Sequence, residues 1–147
     1  MPLRFGSQVQ AVPRVTLGVV AAAIVRTAAG ITEVLIAQRP AGKWQAGRWE
    51  FPGGKIEPPE SAEMALAREL REELGIGVLD ARPLGEFPHD YPDRSVDISL
   101  WLVTRFDGEA RGLDQQALRW VPVESLSDCD LLEADLPMLA PLRDALR

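Results

Sequence analysis

The chain has 147 residues, of which 46% are hydrophobic and 26% are charged, and its net charge is −6. This length suits one domain with a core large enough to be stable without cross-links. The acidic balance argues against stable nucleic-acid binding, because such proteins present a basic face to the phosphate backbone. The single cysteine, Cys129, allows no internal disulfide, so we expect a reducing, cytoplasmic setting.

The N-terminal part of the chain predicts a loose arm followed by a β-hairpin. Residues 1–14 show no clear period and are expected to form the arm, with a single domain over residues 15–147. The apolar run that begins at Val15 is too short to span a membrane. Its β-branched residues favour a buried strand, Val15–Arg26, over a secretory segment. Ala28–Gly30 supplies a turn, and Thr32–Gln38 is the second strand.

The rest of the chain predicts two helices and three further strands. An acidic helix begins near Ser61 and ends at Gly75, a residue type typical of helix ends. The alternation of apolar and polar residues in Ser95–Phe106 predicts a long two-faced strand. The remaining expected elements are a strand over Val78–Glu86, a loop containing Pro88, a hairpin turn at Asp107-Gly108, a short strand over Leu118–Val121 and a closing helix over Leu136–Arg147. This order predicts an α+β fold or an α/β/α sandwich.

Three carboxylates fall on one face of the acidic helix. Glu69, Glu72 and Glu73 are spaced i, i+3, i+4, which places their side chains together. Like charges at this spacing repel each other unless a cation lies among them, and hard carboxylate oxygens suit Mg²⁺ or Mn²⁺. An ordinary solvated helix is the alternative, with Leu70 on its buried side and Arg68 paired with Glu72.

The segment from Gly54 to Ile76 matches the Nudix box without a gap: a glycine, five residues, a glutamate, seven residues, then Arg-Glu-Leu-x-Glu-Glu-x-Gly-Ile. The chain therefore resembles the Nudix hydrolases, which use divalent metal to cleave nucleoside diphosphates linked to another group. The resemblance implies a Nudix-type α/β/α sandwich with a mixed central sheet. Other segments resemble the MutT-like branch, the 8-oxo-dGTP diphosphatases, and these are Ile36–Arg39, Trp49–Lys55, Tyr91–Arg94, Leu100–Val103, Trp120 and Asp135–Leu139.

The resemblance also implies a catalytic metal site. The expected ligands are Glu69, Glu72 and Glu73, joined by the backbone carbonyl of Gly53, and the expected cofactor is Mg²⁺ or Mn²⁺. Glu72 or Glu73 is also the candidate base for the attacking water. Arg68 is counted with the catalytic residues, as the residue that orients the box carboxylates through ion pairs.

Three more site residues follow from the MutT-like resemblance. This branch uses a further acidic residue from a loop after the long strand, usually a glutamate, and Asp114 aligns with it. The side chain of aspartate is one methylene shorter than that of glutamate and reaches less far. Two roles for Asp114 therefore stay open, a metal ligand and a solvated residue of the turn. Arg39 would contact the substrate, since its fork of donors suits phosphate or a base oxygen, or it is a surface arginine. Phe51 stacks on a base or belongs to the core.

Asp135 is the candidate residue for reading the base. It lies where many relatives have asparagine, and a charged carboxylate can accept two hydrogen bonds from a guanine edge. Adenine presents an acceptor there, which the carboxylate would repel. The alternative is a helix N-cap, and both roles can hold together.

These observations favour an enzyme that converts 8-oxo-dGTP to 8-oxo-dGMP and pyrophosphate. The alternative is a Nudix hydrolase for a cytosine nucleotide, ADP-ribose or a dinucleoside polyphosphate. A non-catalytic Nudix binding module is disfavoured, because every carboxylate of the box is present. The expected partner is a nucleotide substrate, with no nucleic acid and no membrane, and no sequence feature indicates an oligomeric state.

Overall fold

The computed structural model describes residues 15–147, so the expected N-terminal arm lies outside the described residues. In this part of the chain, no helix is long and apolar enough to cross a membrane. The elements in chain order are β1 (Thr16–Ala28), β2 (Ile31–Gln38), β3 (Trp49–Glu50), β4 (Gly53–Lys55), α1 (Ala62–Leu74), β5 (Gly77–Asp90), β6 (Ser95–Asp107), β7 (Leu118–Pro122), two 3₁₀ helices (Val123–Asp128 and Glu133–Met138) and α2 (Leu139–Ala145).

The sheet is mixed and is organised around β1. The first part of β1 pairs in parallel with β6, from Thr16 to Ile24, and also pairs with β4. Its last residues, Val25 to Ala28, pair antiparallel with β2, as expected for the hairpin. Strands β3 and β7 extend the sheet from β2, and β5 pairs with β6. The expected mixed sheet is confirmed.

Both faces of β1 are buried, which explains its continuous apolar run. Val20, Ala22 and Ile24 pack in the core layer that contains the apolar side of α1. The alternate residues, Ala21, Ala23 and Val25, pack in the layer that contains α2 and the 3₁₀ helices. Because successive side chains of a strand point to opposite faces, one strand serves both layers. This arrangement is the expected α/β/α sandwich.

Helix α1 begins and ends where the sequence predicts. The Ser61 hydroxyl accepts a hydrogen bond from the Met64 N–H at 3.2 Å, which caps the first turn. Gly75 ends the helix in the left-handed conformation, with φ of +71°. Leu66, Leu70 and Leu74 are buried against the sheet, on the apolar side of the helix.

The expected hairpin turn at Asp107-Gly108 is wrong. The next strand, β7, pairs with β2 instead of β6, so the chain leaves the sheet at this point. The hairpin of β6 is formed with β5, and Tyr91 and Arg94 exchange backbone hydrogen bonds across the turn. Strand β5 also runs to Asp90, past the expected loop at Pro88. As an outer strand paired only with β6 in the described sheet, β5 tolerates residues that lack an N–H.

The expected closing helix over Leu136–Arg147 is shorter than predicted. Glu133–Met138 forms a 3₁₀ helix with Pro137 inside it, and the α-helix covers only Leu139–Ala145. Proline has no N–H to donate within a helix. The tighter 3₁₀ turn therefore precedes α2, and Asp135 lies inside that turn.

Candidate active site

Strand β4 brings two glycines into close contact with β1 and α1. Gly53 pairs with Ala21, and a side chain at Gly53 would overlap the carbonyl oxygen of Val20. A side chain at Gly54 would overlap the carboxylate of Glu69. Only glycine lets the backbone approach this closely, so the Glu69 carboxylate lies directly against β4.

The three carboxylates of the α1 face lie in different environments. The Glu69 side chain is 13% exposed and the Glu72 side chain is 60% exposed. Burial raises the pKa of Glu73 well above its ordinary value, and the neighbouring Glu69 and Glu50 raise it further. A hydrogen bond from the backbone of Gly53 acts in the opposite direction. The cluster therefore carries negative charge that a bound cation would stabilise.

Arg68 connects the acidic face to the segment before the helix. Its Nη2 and Nε donate to the two oxygens of Glu60 at 2.6 and 3.1 Å, and Nη2 also donates to the Lys55 carbonyl at 2.9 Å. Its Nη1 donates to Glu69 at 3.0 Å and to Glu72 at 3.4 Å. These bonds raise the pKa of Arg68 and lower that of Glu60. Arg68 is thus a positioning residue, because its contacts are with carboxylates and backbone.

One cavity of about 550 Å³ adjoins this acidic face. Six of the predicted site residues line it: Arg39, Phe51, Gly53, Glu73, Asp114 and Asp135. Glu69, Glu72 and Arg68 are not part of that lining. The cavity therefore brings together residues that lie far apart in sequence, before α1, in α1 and in the C-terminal part.

The loop that carries Asp114 is fastened to the end of α1. The carbonyl of Glu73 accepts hydrogen bonds from the Leu113 N–H at 3.0 Å and from the Gln116 side chain at 3.3 Å. The same Gln116 amide accepts the Asp114 N–H at 2.9 Å. Gln115 between them has φ of +64°, a left-handed conformation. Asp114 is itself exposed, at the cavity wall.

Arg39 uses its donors within the protein. Its Nε donates to the Trp44 carbonyl at 2.6 Å. Its Nη1 donates to both carboxylate oxygens of Glu50, at 3.2 and 3.4 Å. Burial raises the pKa of Glu50, and the charge of Arg39 opposes that rise. The loop and Glu50 therefore bind the Nε and Nη1 groups of Arg39, which also lines the cavity, and its expected contact with substrate stays a prediction.

Asp135 is 6% exposed and does not cap a helix. It lies inside the 3₁₀ helix Glu133–Met138, and its Oδ2 accepts the Phe51 N–H at 3.0 Å. The alternative N-cap role is wrong, because its carboxylate bonds to Phe51, which lies between β3 and β4 and is far away in sequence. Burial raises the pKa of Asp135 to about 7, the Phe51 N–H opposes this, and the charge of Glu50 adds to it. The carboxyl is therefore not fully ionised near neutral pH.

Phe51 belongs to the core. It is 4% exposed and packs with the apolar residues of the layer next to α2. A ring covered in this way has no open face for a base, so the core interpretation replaces stacking. The backbone of Phe51 contributes to the site through its N–H bond to Asp135.

A model of the NUDIX domain matches residues 21–140, which is most of the chain and includes every residue of the site described above. The chain belongs to the Nudix family. Nudix hydrolases act on nucleotide substrates and depend on divalent metal, so this chain is an enzyme of that kind.

Named relatives support the assignment. A CTP pyrophosphohydrolase of Escherichia coli (strain K12) is 42% identical over 107 residues, which cover 73% of this chain and 79% of that protein. An 8-oxo-dGTP diphosphatase of the same organism is 37% identical over 111 residues, covering 76% and 86%. A solved structure from work on MutT of Aliivibrio salmonicida and Vibrio cholerae has a TM-score of 0.75 at 34% identity, and covers 89% of this chain and 99% of that one.

The residues of this Nudix hydrolase fit a hard divalent cation. The donor set is made of carboxylate oxygens and a backbone carbonyl, which such ions prefer. Burial and the neighbouring Glu69 and Glu50 raise the pKa of Glu73, so a bound cation would stabilise its ionised form. Within residues 15–147, no three acidic, histidine or cysteine side chains converge into a complete ligand cluster. Arg68 instead bonds Glu69 and Glu72, so binding a cation would require these two to exchange partners.

Four further residues of the Nudix site are not among the predicted site residues. Glu50 and Tyr91 line the cavity next to Asp135, and Trp44 and Gln116 line it from loops. The pKa of Tyr91 is raised by burial and then by Asp135. Glu50 follows Trp49 in a two-residue strand, and no local pattern marks it as a buried acid. Glu50 and Tyr91 lie in segments that resemble the MutT-like branch, so the resemblance could have drawn attention to them, whereas Trp44 and Gln116 are identified by their place in the structure.

Replacing Asp114 tests whether it serves the metal site. If it takes the place of the family glutamate, Asp114→Ala should slow hydrolysis at least several-fold, while Asp114→Glu should match or exceed the wild-type rate because its reach is longer. Initial rates across a Mg²⁺ titration measure this. The matched control is Gln115→Gly, since glycine adopts the left-handed conformation of Gln115 freely. Equal rates in all three variants would assign Asp114 to the turn alone.

Proposed function

We propose that this Nudix hydrolase is a Mg²⁺-dependent pyrophosphohydrolase of nucleoside triphosphates, with 8-oxo-dGTP as the preferred substrate and 8-oxo-dGMP and pyrophosphate as products. One observation carries the proposal. The same cavity of about 550 Å³ is lined by the glycine pair and Glu73, and by the buried carboxyl group of Asp135. A phosphate chain and a base edge could both be received there. The named diphosphatase and pyrophosphohydrolase relatives support a triphosphate substrate.

The phosphate side of the reaction needs a positioned water and a neutralised leaving group. Glu69, Glu72, Glu73 and the Gly53 carbonyl would hold the divalent ion, which when bound lowers the pKa of water and offsets phosphate charge. Glu73 lines the cavity and is the candidate to accept the proton of the attacking water, with Glu72 as the alternative. Arg68 keeps Glu69 and Glu72 in place.

Two lysines complete the phosphate side. Lys43 and Lys55 both line the cavity and, with Arg39 and Arg94, bring positive charge to a site that also holds four carboxyl groups. An ammonium group is a point charge on a flexible stem, which suits contact with a phosphate chain. We infer that they receive the phosphates distant from the metal.

The base side is read by Asp135. In its ionised form it accepts from the N1–H and the amino group of a guanine-type edge, while its other contact, the Phe51 N–H, holds the carboxyl in position. If Asp135 is removed, the N1–H and amino groups of the bound base lose their acceptor, and a buried donor without an acceptor costs binding free energy. Asp135 therefore contributes to preference among bases more than to chemistry.

Asp135→Ala should erode the preference for 8-oxo-dGTP over dATP and dCTP, mainly through KM. The expected loss is about 1–3 kcal/mol, roughly 5- to 150-fold in relative kcat/KM. The measurement is kcat/KM across a panel of 8-oxo-dGTP, dGTP, dATP, dCTP and CTP with Mg²⁺, with products identified. Glu124→Gln, at an exposed acid of the other 3₁₀ helix, is the matched control. An unchanged preference in Asp135→Ala would remove the base-reading role.

CTP is the competing substrate, because the CTP pyrophosphohydrolase is 42% identical to this chain. A higher kcat/KM for CTP than for 8-oxo-dGTP would overturn the choice of base and leave the reaction class intact. We also propose that residues 15–147 act as one domain, since the family match spans most of them. A cytoplasmic setting is proposed because Cys129 is a free thiol and the substrate belongs to the nucleotide pool.

A further inference from the structure

A second, smaller cavity adjoins the first. It measures about 240 Å³, and four residues line both cavities: Trp44, Tyr91, Leu132 and Ala134. The neighbouring Asp135 also lines the first cavity. The two aromatic residues therefore line the same cavity as the carboxyl group that is proposed to read the base.

Trp44 presents an open aromatic surface at this place. It is 53% exposed, although large aromatic side chains usually lie against the protein. Its ring contacts Tyr91 edge to face, with centroids 5.1 Å apart and planes at 88°. Such a pair covers at most one face of the Trp44 ring. Since the residue is also half exposed, an aromatic surface remains for a planar ligand.

The backbone of Trp44 is held in place by Arg39, which also lines the first cavity. Arg39 donates its Nε to the Trp44 carbonyl, and its Nη1 binds the Glu50 carboxylate. The main chain of Arg39 closes the same loop, because its carbonyl accepts the Gly47 N–H at 3.0 Å and its N–H donates to Arg48 at 2.8 Å. One arginine therefore fixes the loop that carries Trp44 relative to Glu50 and the cavity.

We propose that Trp44 stacks on the nucleobase of the substrate, and that Arg39 is the positioning residue that holds Trp44 over the cavity. This inference rests on the proposed function, because it needs a nucleotide whose base lies near Asp135. Stacking accepts any base, since every base has a π-face. Trp44 therefore supplies affinity for nucleotides in general, and Asp135 supplies the choice among them.

The first test separates stacking from chemistry. Trp44→Ala should raise KM about 5- to 150-fold for every nucleotide that is hydrolysed, more for purines than for pyrimidines, with kcat within about twofold. Trp44→Phe should keep most of the affinity. Trp120→Phe is the matched control, because Trp120 lines neither cavity and lies under Arg26. An unchanged KM in Trp44→Ala would overturn the stacking role.

A fluorescence titration measures nucleotide binding without hydrolysis and tests the same ring contact independently of the rates. Titrating 8-oxo-dGMP and CMP into metal-free protein should quench tryptophan fluorescence in the wild type and in Trp120→Phe, and the quenching should disappear in Trp44→Phe. Retained quenching in Trp44→Phe would contradict a ring contact. Should CTP prove to be the better substrate, the base assignment fails, and the same variants measured with CTP still decide whether Trp44 stacks.

The second test concerns Arg39. Arg39→Lys keeps the charge and loses the planar fork, so it should raise KM in the wild type and have little further effect in a Trp44→Ala background. Non-additivity of this kind shows that one residue acts through the other. Fully additive effects would show instead that Arg39 contacts the substrate directly, and would overturn its positioning role.

Discussion

Glu73→Gln and Glu72→Gln are each expected to lower kcat by roughly 10²–10⁴-fold, the range for loss of a positioned base, at saturating Mg²⁺. Both changes keep the side-chain shape and remove one charge from the face that would hold the metal. For Glu73 the effect on stability should have the opposite sign. Its charge is buried and repelled by Glu69 and Glu50, so the neutral amide should leave the metal-free protein as stable as the wild type or more so.

The two measurements together identify the role of the acidic face. Rates are compared in a Mg²⁺ titration and melting temperatures are compared in the absence of metal. Glu63→Gln, an exposed acid in the first turn of the same helix, should change neither. Near-normal turnover in both Glu72→Gln and Glu73→Gln would show that the metal and the water are held elsewhere.

Asp135 should make the protein less stable as pH rises. Its pKa is about 7 in the fold against an ordinary 3.8. Between those values the unfolded chain releases a proton that the folded protein keeps, so the free energy of unfolding falls with rising pH. The loss is at most about 4 kcal/mol, from roughly 1.4 kcal/mol per pKa unit. It should be complete above about pH 7, and the stabilising contribution is fully present only below about pH 4.

Asp135→Asn removes this titration and provides the comparison. The difference in unfolding free energy between the variant and the wild type, measured with urea in metal-free buffer from pH 4 to pH 8, should shift steadily in favour of the variant. A constant offset is expected from the extra amide donors, so the slope is the diagnostic quantity. Glu50, Arg39 and Tyr91 face Asp135 in both proteins. The exposed acid variant Glu133→Gln should show no such slope, and a flat difference for Asp135→Asn would contradict its raised pKa.

The parts of the structure that were predictable are those that depend on local pattern. The Ser61 cap and the Gly75 ending bound the acidic helix, and both follow from side-chain chemistry within a few residues. The alternation along β6 and the buried run of β1 likewise follow from strand geometry. The spacing of Glu69 and Glu73 then fixes the acidic face of the helix once the helix exists.

The parts that were missed depend on contacts between distant residues. The turn at Asp107-Gly108 has the composition of a hairpin, yet the pairing partner of the next strand is β2. Asp135 has the composition of a cap, yet it bonds to Phe51 and is buried, which changes its protonation. Arg39 likewise bonds Glu50 and the Trp44 carbonyl, which lie apart from it in sequence, and its expected contact with substrate stays a prediction. No local pattern encodes these partners.

Strand β5 has a consequence for the protein in concentrated solution. Within residues 15–147 no strand pairs with the outer side of β5, and such an edge would offer a row of N–H and carbonyl groups to a strand from another molecule, which is how sheet proteins aggregate. Pro83 and Pro88 remove donors from this strand, and its pairing with β6 shifts register between Val78 and Gly85. Those irregularities deprive an incoming strand of a regular template. We expect Pro83→Thr combined with Pro88→Thr to fold normally and to lower the concentration at which the protein begins to aggregate.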